Sequence, residues 1–149
     1  MFGDELIVGE GILTLGQKNR IVLPKFTGAE KYDIIIPHYN REKSILSFYS
    51  SKEFYELSEK FENKLMDAKR EGKVSYSELL KLRRYYYATL SFGSEAVDAQ
   101  RRIVLDKRIV SHLQIEKQMY VVGCSHHLEL CRDKKTYEMA KQKTYQKGR

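Results

Sequence analysis

Two short runs in this chain carry side chains suited to holding an anion or reading a base edge. Lys18-Asn19-Arg20 and Gln100-Arg101-Arg102 each stand immediately ahead of an apolar stretch, Ile21-Val22-Leu23 in the first case and Ile103-Val104-Leu105 in the second. A guanidinium binds phosphate bidentately or reaches the edge of guanine, Asn and Gln match adenine, and Lys supplies a point charge. At the tip of a two-stranded ribbon, such groups fit the major groove of duplex DNA. Asp98 lies four residues before Arg102, so a structural ion pair across the turn is the competing reading there. Gly16 takes the matching place before Arg20; the first arginine therefore lacks that local partner, and the two copies are not expected to bind equally.

Other chemistry-bearing residues are less well arranged. Cys124, His126, His127 and Cys131 lie close together, but Cys-x6-Cys is not a usual zinc spacing and neighbouring strand residues face opposite ways. Neither a metal site nor any other cofactor is expected. His38 and His112 are isolated and read as surface or helix-end groups. Glu53, Glu56, Glu59 and Glu62, interspersed with Lys52, Lys60 and Lys64, read as a solvated helix face. Tyr85-Tyr86-Tyr87 could stack on bases if exposed, but at a helix-to-strand junction it reads as core. The chain has no Gly-rich phosphate loop, no nucleophile elbow and no His-Glu-x-x-His element, and no general base can be paired with a nucleophile. An enzyme is not expected.

The elements that must position the two runs repeat. Arg-Ile-Val-Leu occurs at Arg20 and again at Arg102, and at the same 82-residue offset Lys25 falls on Lys107, Leu46 on Leu128, Lys52 on Lys134, Tyr55 on Tyr137 and Glu56 on Glu138. Between these anchors Ile34-Ile35-Ile36 aligns best with Tyr120-Val121-Val122, four residues out of phase, which two compensating loop-length changes would explain. Each unit is expected to open with strands. Ile12 to Leu23 reads as a hairpin with its tip at Gln17-Lys18-Asn19, and Leu90 to Val97 with Arg102 to Leu105 as its counterpart. Pro24 stops the first return strand. Ile34–Ile36 with Ile45–Tyr49, and Tyr120–Cys124 with His127–Cys131, make further strand pairs. Ser50 with Glu53 and Ser75 with Glu78 form capping boxes for two connecting helices, the first with its apolar face at Phe54, Leu57, Phe61, Leu65 and Ala68. Asp133 caps a closing helix.

The expected fold is therefore α+β: two pseudo-symmetric β-rich half-domains, residues 1–71 and 72–149, joined and flanked by helices. Units this small rarely gain more than roughly 3 to 5 kcal/mol from a core of their own, so intimate packing or oligomerisation follows. The net charge of +7 and pI near 9.3 favour an anionic partner. Residues 132–149 hold seven Lys/Arg against two Asp/Glu, a basic tail that is either a nucleic-acid arm or a solubilising terminus. Two cysteines suit a reducing cytosol. No apolar run is long enough to suggest membrane insertion.

At the duplicated motif the sequence resembles the MraZ family, bacterial members of the swapped-hairpin AbrB-like superfamily. Asp98-Ala99-Gln100-Arg101-Arg102-Ile103-Val104-Leu105 keeps the family's acid and arginine but has Asp106 where Pro is usual. Gly16-Gln17-Lys18-Asn19-Arg20-Ile21-Val22-Leu23-Pro24 keeps arginine and Pro but loses the acid. The resemblance covers most of the chain, although the family's frequent Ile-Glu-Ile-Trp is here Leu128-Glu129-Leu130 without a Trp. It implies a swapped-hairpin barrel, a ring-like homo-oligomer, and a sequence-specific transcriptional regulator. Such a regulator would be nucleoid-associated and bind repeated DNA boxes upstream of a cell-division and cell-wall gene cluster. Carried over by position, Arg20 and Arg102 are the DNA-contacting residues and Asp98 the motif acid. The alternatives are an AbrB-like interaction or antitoxin-type scaffold and, third, an RNA binder.

Overall fold

The structure, a computed structural model, describes residues 1–40 and 42–147, apart from the side chains of residues 89 and 143–147. The end of the basic tail lies outside the described side chains. In chain order the elements are β1 (Glu10–Thr14), β2 (Arg20–Val22), β3 (Ile34–Asn40), β4 (Ile45–Ser50), α1 (Ser51–Arg70), α2 (Tyr76–Tyr87), β5 (Glu95–Ala96), β6 (Arg102–Val104), α3 (Lys107–His112), β7 (Gln118–Gly123), β8 (His127–Cys131) and α4 (Lys134–Lys147). The fold is mixed α+β around a curled antiparallel sheet. No helix among the described residues is long and apolar enough to cross a membrane.

The strands do not pair as sequence-local hairpins throughout. β1 ladders with β7 rather than with β2, and β5 with β3 rather than with β6, while β2 and β6 form a separate two-stranded ribbon. This corrects the expected hairpin at Ile12–Leu23: the turn is present, but its two strands are paired by the other half of the chain. The large sheet runs β1-β7-β8-β4-β3-β5, an order that reads the same backwards once the strands of the two halves are exchanged. The registers obey the same exchange. Ile21 faces Ile103, its own 82-residue counterpart, and Ser47 faces Glu129, likewise 82 residues away. Pro37 pairs with Phe48 as Val121 pairs with Leu130, which makes β3 and β7 counterparts at an offset of 84. Two compensating loop changes are thus present, but they amount to two residues rather than the four that matching Ile34-Ile35-Ile36 to Tyr120-Val121-Val122 requires. Similar apolar residues at several phases of a buried strand made the wrong alignment look better.

Alternation explains why one face of the sheet is dry. Ile35, Leu46, Phe48, Met119, Val121, Leu128 and Leu130 point inward and are almost completely buried. Ile21, Leu23, Ile103 and Leu105 from the ribbon join the same cluster, so both halves contribute to one core. The second half differs from expectation before β6. Residues Ala88–Phe92 form a 3-10 turn and only Glu95–Ala96 pair as strand, because the helical run of α2 carries on into this segment instead of releasing it to the sheet.

Helix ends follow the sequence signals. The Ser50 and Ser75 hydroxyls accept from the Glu53 and Glu78 backbone N–H groups at 3.1 Å, and Asp133 caps α4 through the Thr136 N–H at 2.7 Å. α3 was not foreseen. Its N-cap is Asp106, whose carboxylate accepts from the Arg108 N–H at 2.8 Å. Asp106 (φ −62°, ψ 138°) has nearly the backbone of its counterpart Pro24 (φ −61°, ψ 149°), and each starts a helical turn. The apparent departure from Pro is therefore a change of cap at an unchanged backbone geometry.

α1 and α2 pack through aromatic side chains. Phe61 stacks on Tyr86 with centroids 3.9 Å apart, and Tyr87 meets both edge-on. Within the tyrosine run, Tyr86 and Tyr87 are half-buried between the helices while Tyr85 is exposed, so two of the three pack against protein but outside the fully buried core. Two further expectations are corrected. Glu62 is not on a solvated face: it accepts from the Arg83 Nε at 2.8 Å and the Tyr87 hydroxyl at 3.1 Å, tying α1 to α2. His38 is not a surface group but lies among Tyr49, Phe54 and Tyr86, with Nε2 buried and without a hydrogen-bond partner among the described residues.

Candidate nucleic-acid interface

The ribbon of β2 and β6 brings the two basic runs together. Arg20 faces Val104 and Val22 faces Arg102, so all four side chains lie on the face opposite the buried Ile21–Ile103 pair. Arg20 and Arg102 are then diagonal neighbours across one ribbon, roughly 7–8 Å apart at the backbone. The exposed Val22 and Val104 lie between them. Two further bonds extend the ribbon symmetrically: the Leu105 N–H donates to the Asn19 carbonyl and the Leu23 N–H to the Arg101 carbonyl, both at 2.8 Å. Asn19 and Arg101, 82 residues apart, both take the left-handed conformation (φ 59°), which bends each turn over the ribbon end. Lys18 does so as well (φ 58°).

The two copies differ in how their cations are held. In the second, Asp98 accepts from the Gln100 N–H, the Arg102 N–H and the Arg102 Nε, each at 2.8 Å. These bonds, led by the Arg102 backbone N–H, hold the Asp98 carboxyl below its ordinary range. The structural bridge weighed from sequence is present, and it fixes the Arg102 guanidinium over the turn. Arg101 gives its Nε to the Leu23 carbonyl at 3.2 Å, and Gln100 is exposed at the tip. In the first copy the Gly16 N–H donates to the Arg20 carbonyl at 2.8 Å, matching the Asp98 N–H to Arg102 carbonyl bond, but no acid is available. Among the described residues, Arg20 and Lys18 have no ion-pair partner.

An open groove of about 630 Å³ lies beside the ribbon, lined among others by Lys18 and Asn19 of the first turn and by Lys107 and Arg108 of α3. Arg108 is tied to Asp106 by two 3.0 Å bonds and to the Ser91 carbonyl at 3.2 Å, and it lies over the Phe92 ring. The Asp106 carboxyl is consequently held below its usual range. Glu95, also in the groove, is pushed upward by burial and then by Asp106. Sequence reasoning did not assign Lys107 or Arg108 to the site. The signal was available, since Lys107 is the repeat counterpart of Lys25, but the helix that carries both was not foreseen.

A second cluster takes only two of the four residues Cys124, His126, His127 and Cys131, which do not come together as a set, and adds an acid that sequence reasoning did not consider. Ser125 (φ 73°) turns the chain so that the Cys124 N–H donates to the His127 carbonyl at 2.8 Å, which sets these two residues opposite each other. Glu129 is two residues further along the same face of β8. Cys124, His127 and Glu129 offer sulfur, nitrogen and oxygen atoms that all lie within 4.8 Å of one another. Cys124 Sγ is 2.9 Å from Glu129 Oε1, which also accepts from the Tyr137 hydroxyl at 2.9 Å and pairs with Lys141 Nζ at 2.9 Å. Burial opposes ionisation of Glu129, but these three donors hold its carboxyl below the usual range. The Cys124 thiol is pushed up to about 11, first by burial and then by Glu129. His126 instead contacts the Gly3 carbonyl at 3.2 Å, and Cys131 is buried beside Ile45 and Ala140. The grouping missed by sequence is the one that replaces Cys131 and His126 by Glu129.

Comparison with protein-family models and with curated proteins finds no match for the chain.

Proposed function

We propose that the protein is a sequence-specific DNA-binding transcriptional regulator of the MraZ type, built as a swapped-hairpin barrel. One observation carries the reading. Arg20 and Arg102, from the two copies of the motif, stand on the same face of one two-stranded ribbon over a shared core. A ribbon of that width fits the major groove, and paired guanidinium groups suit phosphate or guanine. The exchange of strand partners between halves supports the swapped-hairpin assignment, because the strands flanking each turn pair with strands of the other copy.

Unequal copies give the ribbon two kinds of cation. Arg20 is free to move onto a phosphate, whereas Arg102 is already oriented by Asp98 and loses less rotamer freedom on binding. Self-association into a ring is part of the same proposal. β1 is an edge strand of the large sheet, and its own Ile12 together with Leu6 and Val8 just before it is well exposed, an arrangement that favours pairing with another chain. A ring would present many such ribbons to repeated boxes, and linked sites gain roughly 10²- to 10⁴-fold in avidity without new contacts.

Titration of the protein, sized by light scattering, into duplex DNA from upstream of its own gene tests this, with a scrambled duplex of equal length as control. Discrimination between the two with a steep fall in affinity as salt rises is the expected result. Equal weak binding to both would overturn it, and a stoichiometric protein partner without salt-sensitive DNA retention would favour the interaction-scaffold reading instead.

A further inference from the structure

We infer that Cys124, His127 and Glu129 form a binding site for a borderline-soft divalent transition ion of the Zn²⁺ class. The site lies on the outer face of β7 and β8, beneath α4 and away from the arginine ribbon. Its donor set is one sulfur, one imidazole nitrogen and one carboxylate oxygen, the mixture that Zn²⁺ accepts in three-ligand sites. Alkali and alkaline-earth ions would want oxygen alone.

The geometry needs only side-chain rotation. Zinc bonds of roughly 2.0 to 2.3 Å at tetrahedral angles put ligand atoms about 3.3 to 3.7 Å apart. The three donors already lie within 4.8 Å of one another, and Cys124 Sγ is 2.9 Å from Glu129 Oε1, so an ion entering between them separates one pair and draws in the other donor. The backbone that sets them is fixed at two points. The Cys124 N–H to His127 carbonyl bond closes the hairpin, and Glu129 pairs with Val122 on β7 and with Ser47 on β4. A cluster held by three strands loses little freedom when it takes a metal.

The surroundings supply the rest of a coordination sphere. The Tyr137 hydroxyl is 2.9 Å from Glu129 Oε1 and 3.5 Å from Cys124 Sγ, so it supports the ligating carboxylate by a hydrogen bond while a water takes the fourth position. The Tyr49 ring lies against His127 with centroids 4.8 Å apart and limits how the imidazole can turn. Lys141 now provides the positive charge that Glu129 faces; a dication takes over that role and releases Lys141 from the carboxylate. Binding replaces the thiol proton of Cys124 by the metal, the proton passing to solvent, with no change of oxidation state.

The purified full-length protein, stripped with a chelator, is titrated with Co²⁺ and with Zn²⁺. The expected outcome is one equivalent bound per chain, with thiolate-to-cobalt charge-transfer absorption and the intense ligand-field bands of a tetrahedral site, both displaced by Zn²⁺. Cys124→Ser abolishes the charge-transfer band, His127→Gln weakens binding at least as strongly, and Cys131→Ser leaves the spectrum unchanged. Tyr137→Phe weakens affinity by about 10- to 100-fold, as loss of a supporting group around a metal does. Absence of a charge-transfer band in the wild-type protein overturns the inference irrespective of how any variant folds. A band that survives Cys124→Ser and disappears in Cys131→Ser overturns it as well.

Discussion

Gly123 is where the amino-terminal segment presses closest on the sheet, and a single methyl group there has a calculable effect. A Cβ at this position would stand 2.3 Å from the Ile7 carbonyl oxygen and 2.6 Å from its carbon, both backbone atoms that cannot rotate away. Restoring ordinary contact requires the 7–9 segment to retreat by about 1 Å. That displacement strains the Ile7 N–H bond to the Ser125 carbonyl (2.6 Å) and the Gly123 N–H bond to the Gly9 carbonyl (2.8 Å). Two such bonds contribute about 1 kcal/mol each. Partial exposure of Ile7, now 1 % accessible, adds up to about 1.5–3 kcal/mol. Full detachment would cost about 3–5 kcal/mol and simple overpacking about 1–3, so Gly123→Ala is expected to destabilise by about 3 kcal/mol. For a chain of this size that corresponds to a Tm lower by about 6–12 °C. Gly11→Ala is the control: nothing lies within 4 Å of a Cβ there, and the change should be neutral or slightly stabilising. Thermal and urea unfolding of both variants decide it, and a Gly123→Ala Tm within about 2 °C of that of Gly11→Ala would refute the close approach.

Asp106→Ala should lower stability by about 1 kcal/mol through loss of the α3 cap. Asp106→Pro should recover most of that loss, because φ is already −62° and Pro restricts the unfolded chain; equal melting of the two variants would contradict the shared backbone geometry. Leu128→Ala, at a residue with no accessible surface in the common core, should cost about 2–5 kcal/mol in a single cooperative transition, and two separate transitions would show that the halves do not share that core. His38 gives the pH dependence. Burial, opposed only in part by the Tyr86 backbone, lowers its pKa below 6.5, so the folded state stays neutral while the unfolded state takes up a proton. Its contribution is complete above the unfolded pKa and is lost as pH falls through the folded one. The aromatic neighbours add no competing charge: the Tyr49 hydroxyl is pushed up to about 12, mainly by burial. Urea titrations between about pH 7.5 and 5.5 should therefore show a smaller acid loss for His38→Phe than for wild type, and parallel losses would remove His38 from the account.

Much of the architecture was legible because it rests on local chemistry. Ser50, Ser75 and Asp133 cap helices where their spacing to Glu53, Glu78 and the following turn required, and the Arg-Ile-Val-Leu repeat marked the two strands that meet in the ribbon. Partner choice was not legible. Ile12–Leu15 and Arg20–Leu23 look like the arms of a hairpin, and nothing in their composition says that each will pair with the other half instead. Strand register failed for a related reason, since Ile34-Ile35-Ile36 offers an apolar residue at every phase. The candidate sites divide the same way. Arg20 and Arg102 could be singled out because the motif recurs, and the structure sets them on one ribbon; the Asp98 bridge was legible because it is local. Glu129 was missed as a companion of Cys124 and His127 because only the turn at Ser125 sets the three on one face.

The central claim is that Arg20 and Arg102 act together on one DNA-contacting ribbon, and the salt dependence of binding tests it most directly. For wild type and for the Arg20→Ala, Arg102→Ala double variant, the slope of log affinity against log salt is measured on one upstream duplex, with folding verified by circular dichroism. Each phosphate contact contributes about one unit to that slope, so the double variant should bind more weakly with a slope shallower by about two. An unchanged affinity and slope in a folded double variant would contradict the account.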